Sequence, residues 1–174
     1  IIYSPTGVKW IISSRTIWRC DEKGDRPMFP DVDATQVHQP LLMIQGVCDD
    51  EGNLYVVSTQ GVIRFDEDGN QYKWLNYLPE GQYSSILRDK KGIFWTSGSN
   101  GIISFEDEKQ TYAKILLDER YRSRNYFTHR AAFIDKDGRF YFGSTEGFVM
   151  FDPRHIHKEK EVDYLAFSRL YVKG

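Results

Sequence analysis

The sequence predicts an all-β chain of four β-propeller blades, and three observations predict it. A block recurs without gaps from Asp49 to Asp66, from Asp89 to Glu106 and from Asp135 to Asp152, and a weaker copy runs from Gly7 to Asp21. The turn glycines Gly7, Gly52, Gly92 and Gly138 stand 45, 40 and 46 residues apart, the spacing of one four-stranded blade per repeat. No stretch of useful length carries the apolar period of a helix.

Each element of the repeat follows from its residues. Before each Asp lies a short apolar strand: Leu42 to Cys48, Ser84 to Arg88 and Ala131 to Ile134, with Ile1 to Ser4 serving the first copy. The Asp-x-x-Gly element then supplies a side chain that caps a turn and a glycine that takes positive φ. Aromatic and β-branched residues follow, as in Leu54-Tyr55-Val56-Val57, Ile93-Phe94-Trp95-Thr96 and Phe140-Tyr141-Phe142, the composition of a second strand. A polar turn ending at Gly61, Gly101 or Gly147 leads into a third strand, Val62 to Phe65, Ile102 to Phe105 or Phe148 to Phe151. Acidic turns such as Asp66-Glu67-Asp68-Gly69 precede a fourth, less regular strand, as in Gln71 to Leu75. The first copy departs from the pattern with Thr16 at the turn glycine, and the third with Gly98 in its small-residue pair.

Blades are expected at about 1–36, 37–78, 79–116 and 117–154, with 155–174 as a linker and the start of a β-sandwich domain. The 174 residues include 11 Phe, 11 Tyr and 4 Trp, and the recurrence of Tyr55, Phe65, Trp95, Phe105, Tyr141 and Phe151 at fixed repeat positions assigns them to packing between blades. With 23 basic against 25 acidic residues, the formal charge of −2 lacks the positive field that a nucleic-acid partner requires. No apolar run reaches the length of a membrane span. Cys20 and Cys48 have no metal or redox spacing and read as small buried side chains.

The repeat Asp-x-x-Gly-x-[Leu/Phe]-[Tyr/Trp]-x-x-[Ser/Gly]-[Thr/Ser]-x-Gly-[Val/Ile/Phe]-x-x-Phe-[Asp/Glu] resembles the two-component-regulator propeller repeat of hybrid two-component sensors, best known from Bacteroidetes. The last copy, Gly138 to Phe148 followed by Phe151-Asp152-Pro153, is similar to the block that closes the final propeller in that family, and Asn125-Tyr126-Phe127 and Ala131-Ala132 fit its approach. The stretch His155 to Gly174 looks like the beginning of the Tyr-rich β-sandwich that follows. The resemblance implies the C-terminal part of a seven-bladed propeller within a periplasmic sensor ectodomain of an inner-membrane protein. It also implies oligosaccharide ligands, and a histidine kinase and response regulator elsewhere in a longer parent chain that control polysaccharide-utilisation genes.

No nucleophile elbow, phosphate loop or HExxH motif occurs, and no cofactor or metal is expected. His155-x-His157 lacks a third ligand, and the calcium-loop mimics at Asp66 and Asp135 lack a bidentate Glu. Asp89-Lys90-Lys91-Gly92 is one residue too long for the Asp-box of sialidases. The irregular segment is the connection from Leu117 to Arg130, where Arg120, Arg122, Arg124 and Arg130 gather with Tyr121, Tyr126 and His129. Aromatic faces stack on sugars and guanidinium forks suit carboxylate or sulfate groups, so Arg122, Arg124, Tyr126 and His129 are ligand-binding candidates, joined by Tyr83 at the equivalent place one blade earlier. The bland alternative is a solvated loop neutralised in part by Asp118 and Glu119. Two other functions remain open at this stage: a propeller enzyme acting on polysaccharide as a lyase or hydrolase, and a protein-interaction propeller, including a homodimer.

Overall fold

The structure, a computed structural model, describes residues 1–28, 40–116 and 127–156 and the short strand Leu165–Ala166. The chain divides into two compact units, Ile1–Tyr83 and Ser84–Gly174. Apart from the strand Leu165–Ala166, each sheet is an antiparallel meander in chain order, joined by the tight turns that the sequence marks.

In the first unit one sheet is formed by β1 (Ile2–Tyr3), β2 (Lys9–Ile12), β3 (Ile17–Asp21) and β4 (Gly24–Met28), and the next by β5 (Met43–Cys48), β6 (Leu54–Ser58), β7 (Val62–Phe65) and β8 (Tyr72–Trp74). Trp10 and Ile17 from the first sheet share a core with Leu54, Val56, Ile63 and Phe65 from the second. Arg19, only 6% exposed, ties the two sheets together. Its Nε donates to the carbonyl of Glu67 at 2.7 Å, and its guanidinium pairs with the carboxylates of Asp21 and Glu67. Arg26 adds a bond to the Asp68 carbonyl at 2.9 Å.

The second unit holds the sheet β9 (Tyr83–Arg88), β10 (Phe94–Gly98), β11 (Gly101–Glu106) and β12 (Thr111–Leu116), of which Tyr83 belongs to the first unit. A further sheet comprises β13 (Phe127–Ile134), β14 (Phe140–Ser144) and β15 (Gly147–Phe151). Trp95, Ile102 and Ile115 pack against Phe140, Phe142, Val149 and Phe151. The strand β16 (Leu165–Ala166) lies parallel to Ile115–Leu116 on the outer side of β12. This last sheet has three strands among the described residues. After Phe151 the chain turns at Asp152 into the 3-10 turn Pro153–His155, and Pro153 has no N–H to give a ladder.

The Asp-x-x-Gly element builds the same corner three times. Asp49, Asp89 and Asp135 each accept at Oδ1 from the backbone N–H groups two and four residues on, at 2.8–3.0 Å. Gly52, Gly92 and Gly138 close each corner at φ of 91°, 84° and 83°, a region costly for any residue with a Cβ. The second oxygen takes a side-chain donor: Asn53 Nδ2, Trp95 Nε1 or the Tyr141 hydroxyl.

The first copy follows the pattern by other means. Ser4 stands three residues before Gly7, accepts the Val8 N–H on its hydroxyl at 3.0 Å, and is bonded through its backbone to Gly7 and Val8. At the next turn Thr16 replaces the glycine, and Ser13 spans it: its hydroxyl donates to the Thr16 carbonyl at 2.8 Å and accepts the Thr16 N–H at 3.0 Å. Ser58 and Ser144 make the matching hydroxyl bond to the carbonyls of Gly61 and Gly147. Cys20 is buried and Cys48 half-buried, and both thiols are free. Burial pushes both thiols up, that of Cys48 to about 12 with help from the Asp49 charge.

Candidate functional site

Arg122, Arg124 and Tyr126, with Arg120 and Tyr121, lie outside the described residues. Tyr83 and His129 are described, and they occupy two different settings.

Tyr83 follows the connection that leaves β8. Leu75 holds that connection by donating to the Val62 carbonyl, Leu78 closes a turn onto Leu75, and both leucines are buried. The Tyr83 ring is itself 1% exposed, and its hydroxyl donates to the Pro79 carbonyl at 2.6 Å. It therefore forms the inner wall of a hollow of about 140 Å³ whose other sides come from Gln60, Gly61, Trp74, Asn76 and Glu80. A Cβ on Gly61 would stand 3.3 Å from the Trp74 ring, so the absent side chain is what lets the indole lie across this turn. Trp74 is half-buried against the core of the first unit, while Asn76 and Glu80 are exposed at the rim. The arrangement offers one aromatic face, two carboxamides that both donate and accept, and one carboxylate. In the sequence Trp74 belongs to the irregular strand from Gln71 to Leu75, and only its approach to Gly61 in the structure shows that the ring is presented.

His129 lies in β13, where the pairing shifts between Phe127, opposite Ser144, and Ala132, opposite Phe142. Thr128, His129 and Arg130 are all exposed, and Arg130 adopts φ of 61°, a conformation uncommon outside glycine. A bulge of this kind re-aims side chains. Gly143 makes it possible, since a Cβ there would lie 2.8 Å from that of Ala131.

A larger cleft of about 510 Å³ lies in the second unit. Trp95, Phe140 and Ile156 wall it, with Arg88, Lys91 and Arg154 at its margin. Its aromatic walls belong to the core, and Trp95 Nε1 and the Asp89 carboxylate are committed to each other at 3.1 Å. Asp137 and Ser104 stand in its lining beside the basic side chains, around an apolar floor. Among the described residues no group of three His, Cys, Asp or Glu side chains is arranged to hold a metal. No described helix is long and apolar enough to cross a membrane.

No protein-family model matches the sequence, and no curated protein matches it at a significant level. Solved structures do resemble it along most of its length. A structure described as the extracellular domain of the hybrid two-component system BT3049 from B. thetaiotaomicron superposes with a TM-score of 0.67 at 19% identity, over 88% of this chain and 21% of that one. The corresponding domain of BT4673 from the same organism gives 0.65 at 13%, over 86% and 20%. Inactivated virginiamycin B lyase from Staphylococcus aureus, in complex with quinupristin, gives 0.65 at 14%, over 88% and 52%. At these identities the likeness establishes the fold, an all-β array of propeller blades. The chain spans about a fifth of the length of the two sensor ectodomains.

Proposed function

We propose that the chain is a ligand-sensing, extracytoplasmic segment of a hybrid two-component regulator, working in the periplasm, and that its ligands are oligosaccharides. The signal passes to polysaccharide-utilisation genes through a histidine kinase and response regulator in the remainder of the parent chain. The observation that carries the reading is the hollow beside Tyr83. Sugars are bound by an aromatic face against the C–H side of the ring and by planar amides and carboxylates at the hydroxyls, and Trp74, Gln60, Asn76 and Glu80 supply that set. A volume of about 140 Å³ falls below the roughly 300 Å³ of a drug-sized pocket, which suits a single sugar ring at the end of a chain. Glu80 is the one carboxylate there, whereas glycoside hydrolysis by the common routes needs two flanking the bond, so binding without turnover is the better reading. His129 on its bulged strand, with Arg122, Arg124 and Tyr126 of the preceding connection, is a second contact set suited to acidic sugars.

Titration calorimetry against neutral and acidic oligosaccharides tests this. Saturable binding is expected, weakened about tenfold by Asn76→Ala or Glu80→Gln, since each removes a hydrogen bond worth roughly 1.4 kcal/mol. Both side chains are exposed, so the melting temperature stays in place. Equal affinity in both variants would rule out the hollow. Appearance of cleaved product in the same mixtures would favour the enzymatic reading that the lyase likeness keeps in view.

A further inference from the structure

The two units treat one repeat position in opposite ways. In the first, Arg19 pairs with Trp10 on one side and Arg26 on the other, and both arginines cross to the neighbouring sheet. Arg19 reaches the Glu67 carbonyl at 2.7 Å and Arg26 that of Asp68 at 2.9 Å. The space there is full, since a Cβ on Gly69 would lie 2.6 Å from Arg19 Cδ and 3.3 Å from Met28 Sδ. In the second unit the same register sets Ser104 between Trp95 and Ala113, so two short side chains replace the two arginines. Pro153 and Arg154 follow Asp152 there as Glu67 and Asp68 follow Asp66. Ser104, Pro153 and Arg154 all line the cleft of about 510 Å³.

Charge is reversed along with volume. The first unit inserts a cation against an acidic stretch, whereas the second sets a cleft against a basic one. Four cationic side chains, Arg88, Lys90, Lys91 and Arg154, line that cleft with two carboxylates, Asp89 and Asp137. Asp89 is engaged by its own turn and by Trp95, and Asp137 by Arg139 at 2.6 Å. Arg154 is oriented by Asp152 and donates to the Asp137 carbonyl at 3.1 Å. Lys90 and Lys91 are exposed and enter no ion pair among the described residues. The Trp95 and Phe140 rings, 5.5 Å apart, make the floor apolar. The volume falls within the roughly 300–1,000 Å³ of small-ligand sites. We propose that the cleft binds an organic anion with an apolar ring body. The body lies where the stem of Arg19 lies in the first unit, and its carboxylate or sulfonate meets Lys91 and Arg154 at the margin. This site shares no residue with the hollow beside Tyr83 and takes a different class of ligand.

Fluorescence titration of the 174-residue chain with anilinonaphthalene sulfonate, and with its uncharged parent phenylnaphthylamine, tests the proposal. Saturable binding of one sulfonate per chain is expected, at least about tenfold tighter than that of the uncharged dye. Ser104→Arg returns the first unit's side chain to the cleft and should weaken both dyes at least about tenfold. Ser104→Leu takes up the same space without a charge, and serves if the arginine variant fails to fold; a cooperative melt followed by circular dichroism identifies the folded variants. Lys91→Glu changes an exposed side chain, so it should leave the melting temperature in place, weaken the sulfonate about fivefold and leave the uncharged dye unaffected. Equal affinity for the two dyes overturns the proposal. So does sulfonate binding that is unchanged in a folded Ser104 variant or in Lys91→Glu, which would place the dye elsewhere on the chain.

Discussion

The corner at Ser4 and the corner at Asp89 share their main-chain bonds and differ in the side chain, a hydroxyl with one oxygen against a carboxylate with two. Each bonds residue i to i+3 and i+4 through the main chain, and each places a tryptophan at the sixth following position. At Asp89 the second carboxylate oxygen accepts Trp95 Nε1 at 3.1 Å. At Ser4 the single hydroxyl is taken by the Val8 N–H and lies 2.8 Å from the Thr6 hydroxyl, and Trp10 Nε1 is buried without a partner among the described residues. The repeat therefore needs two things from its acidic residue: one oxygen shapes the turn, and the other satisfies whatever polar group the next strand buries. Asn53, Trp95 and Tyr141 are interchangeable in the second task. Serine performs only the first.

The largest test of this difference removes the side chain at both corners. Asp89→Ala strips three acceptor bonds, one from a buried indole, and is expected to cost about 3 kcal/mol in urea denaturation, against about 1 kcal/mol for Ser4→Ala. Equal losses would break the comparison. The tryptophans give the next effect. Phenylalanine at either position removes similar ring volume, but at Trp95 it also discards a made bond and at Trp10 an unmade one, so Trp95→Phe should cost about 2 kcal/mol more than Trp10→Phe. A smaller gain is expected from Ser4→Asp, about 1 kcal/mol from pairing the Trp10 indole. It should grow when Glu67→Gln is added, since Thr6 links this corner to the Glu67 carboxylate. The last contrast is in pH. Burial alone would raise the Asp135 carboxyl, but the N–H groups of Arg139 and Asp137 and the Tyr141 hydroxyl outweigh it and hold it below its ordinary 3.8. Asp152 is held at about 2, chiefly by its hydrogen bond from Arg154. Carboxyls lowered in the folded state stabilise it above their unfolded value, and that stability drains away as pH falls from about 4 toward 2. Hydrogen exchange should therefore show protection in β13–β15 declining over that range, while the Ser4 corner, having no charge to lose, contributes nothing to the decline.

Most of the blade pattern was legible because its determinants are local. Asp, Gly and the residues between them fix a turn within five positions, and Asp49, Asp89 and Asp135 behave alike for that reason. What stayed hidden depends on residues far apart. The bulge at Thr128 to Arg130 exists because Gly143 on the neighbouring strand makes room for Ala131, and no feature of β13 alone announces it. Ser4 was not recognised as the acidic residue's counterpart, since a hydroxyl carries none of the signal of a carboxylate. Tyr83, a ligand-binding candidate from its place at a blade entrance, begins β9 with its ring buried as a wall of the hollow, and the presented ring is that of Trp74, which reads in sequence as an ordinary strand residue.

The corner also has a consequence in time. Its bonds close loops of six residues or fewer, a scale on which chain ends meet in less than about a microsecond, before any sheet has found its neighbour. The Arg19 bond to Glu67 spans 48 positions and must wait for both sheets. Damage to a corner should then be felt by the forward rate of folding, and loss of Arg19 by the rate at which the finished first unit comes apart.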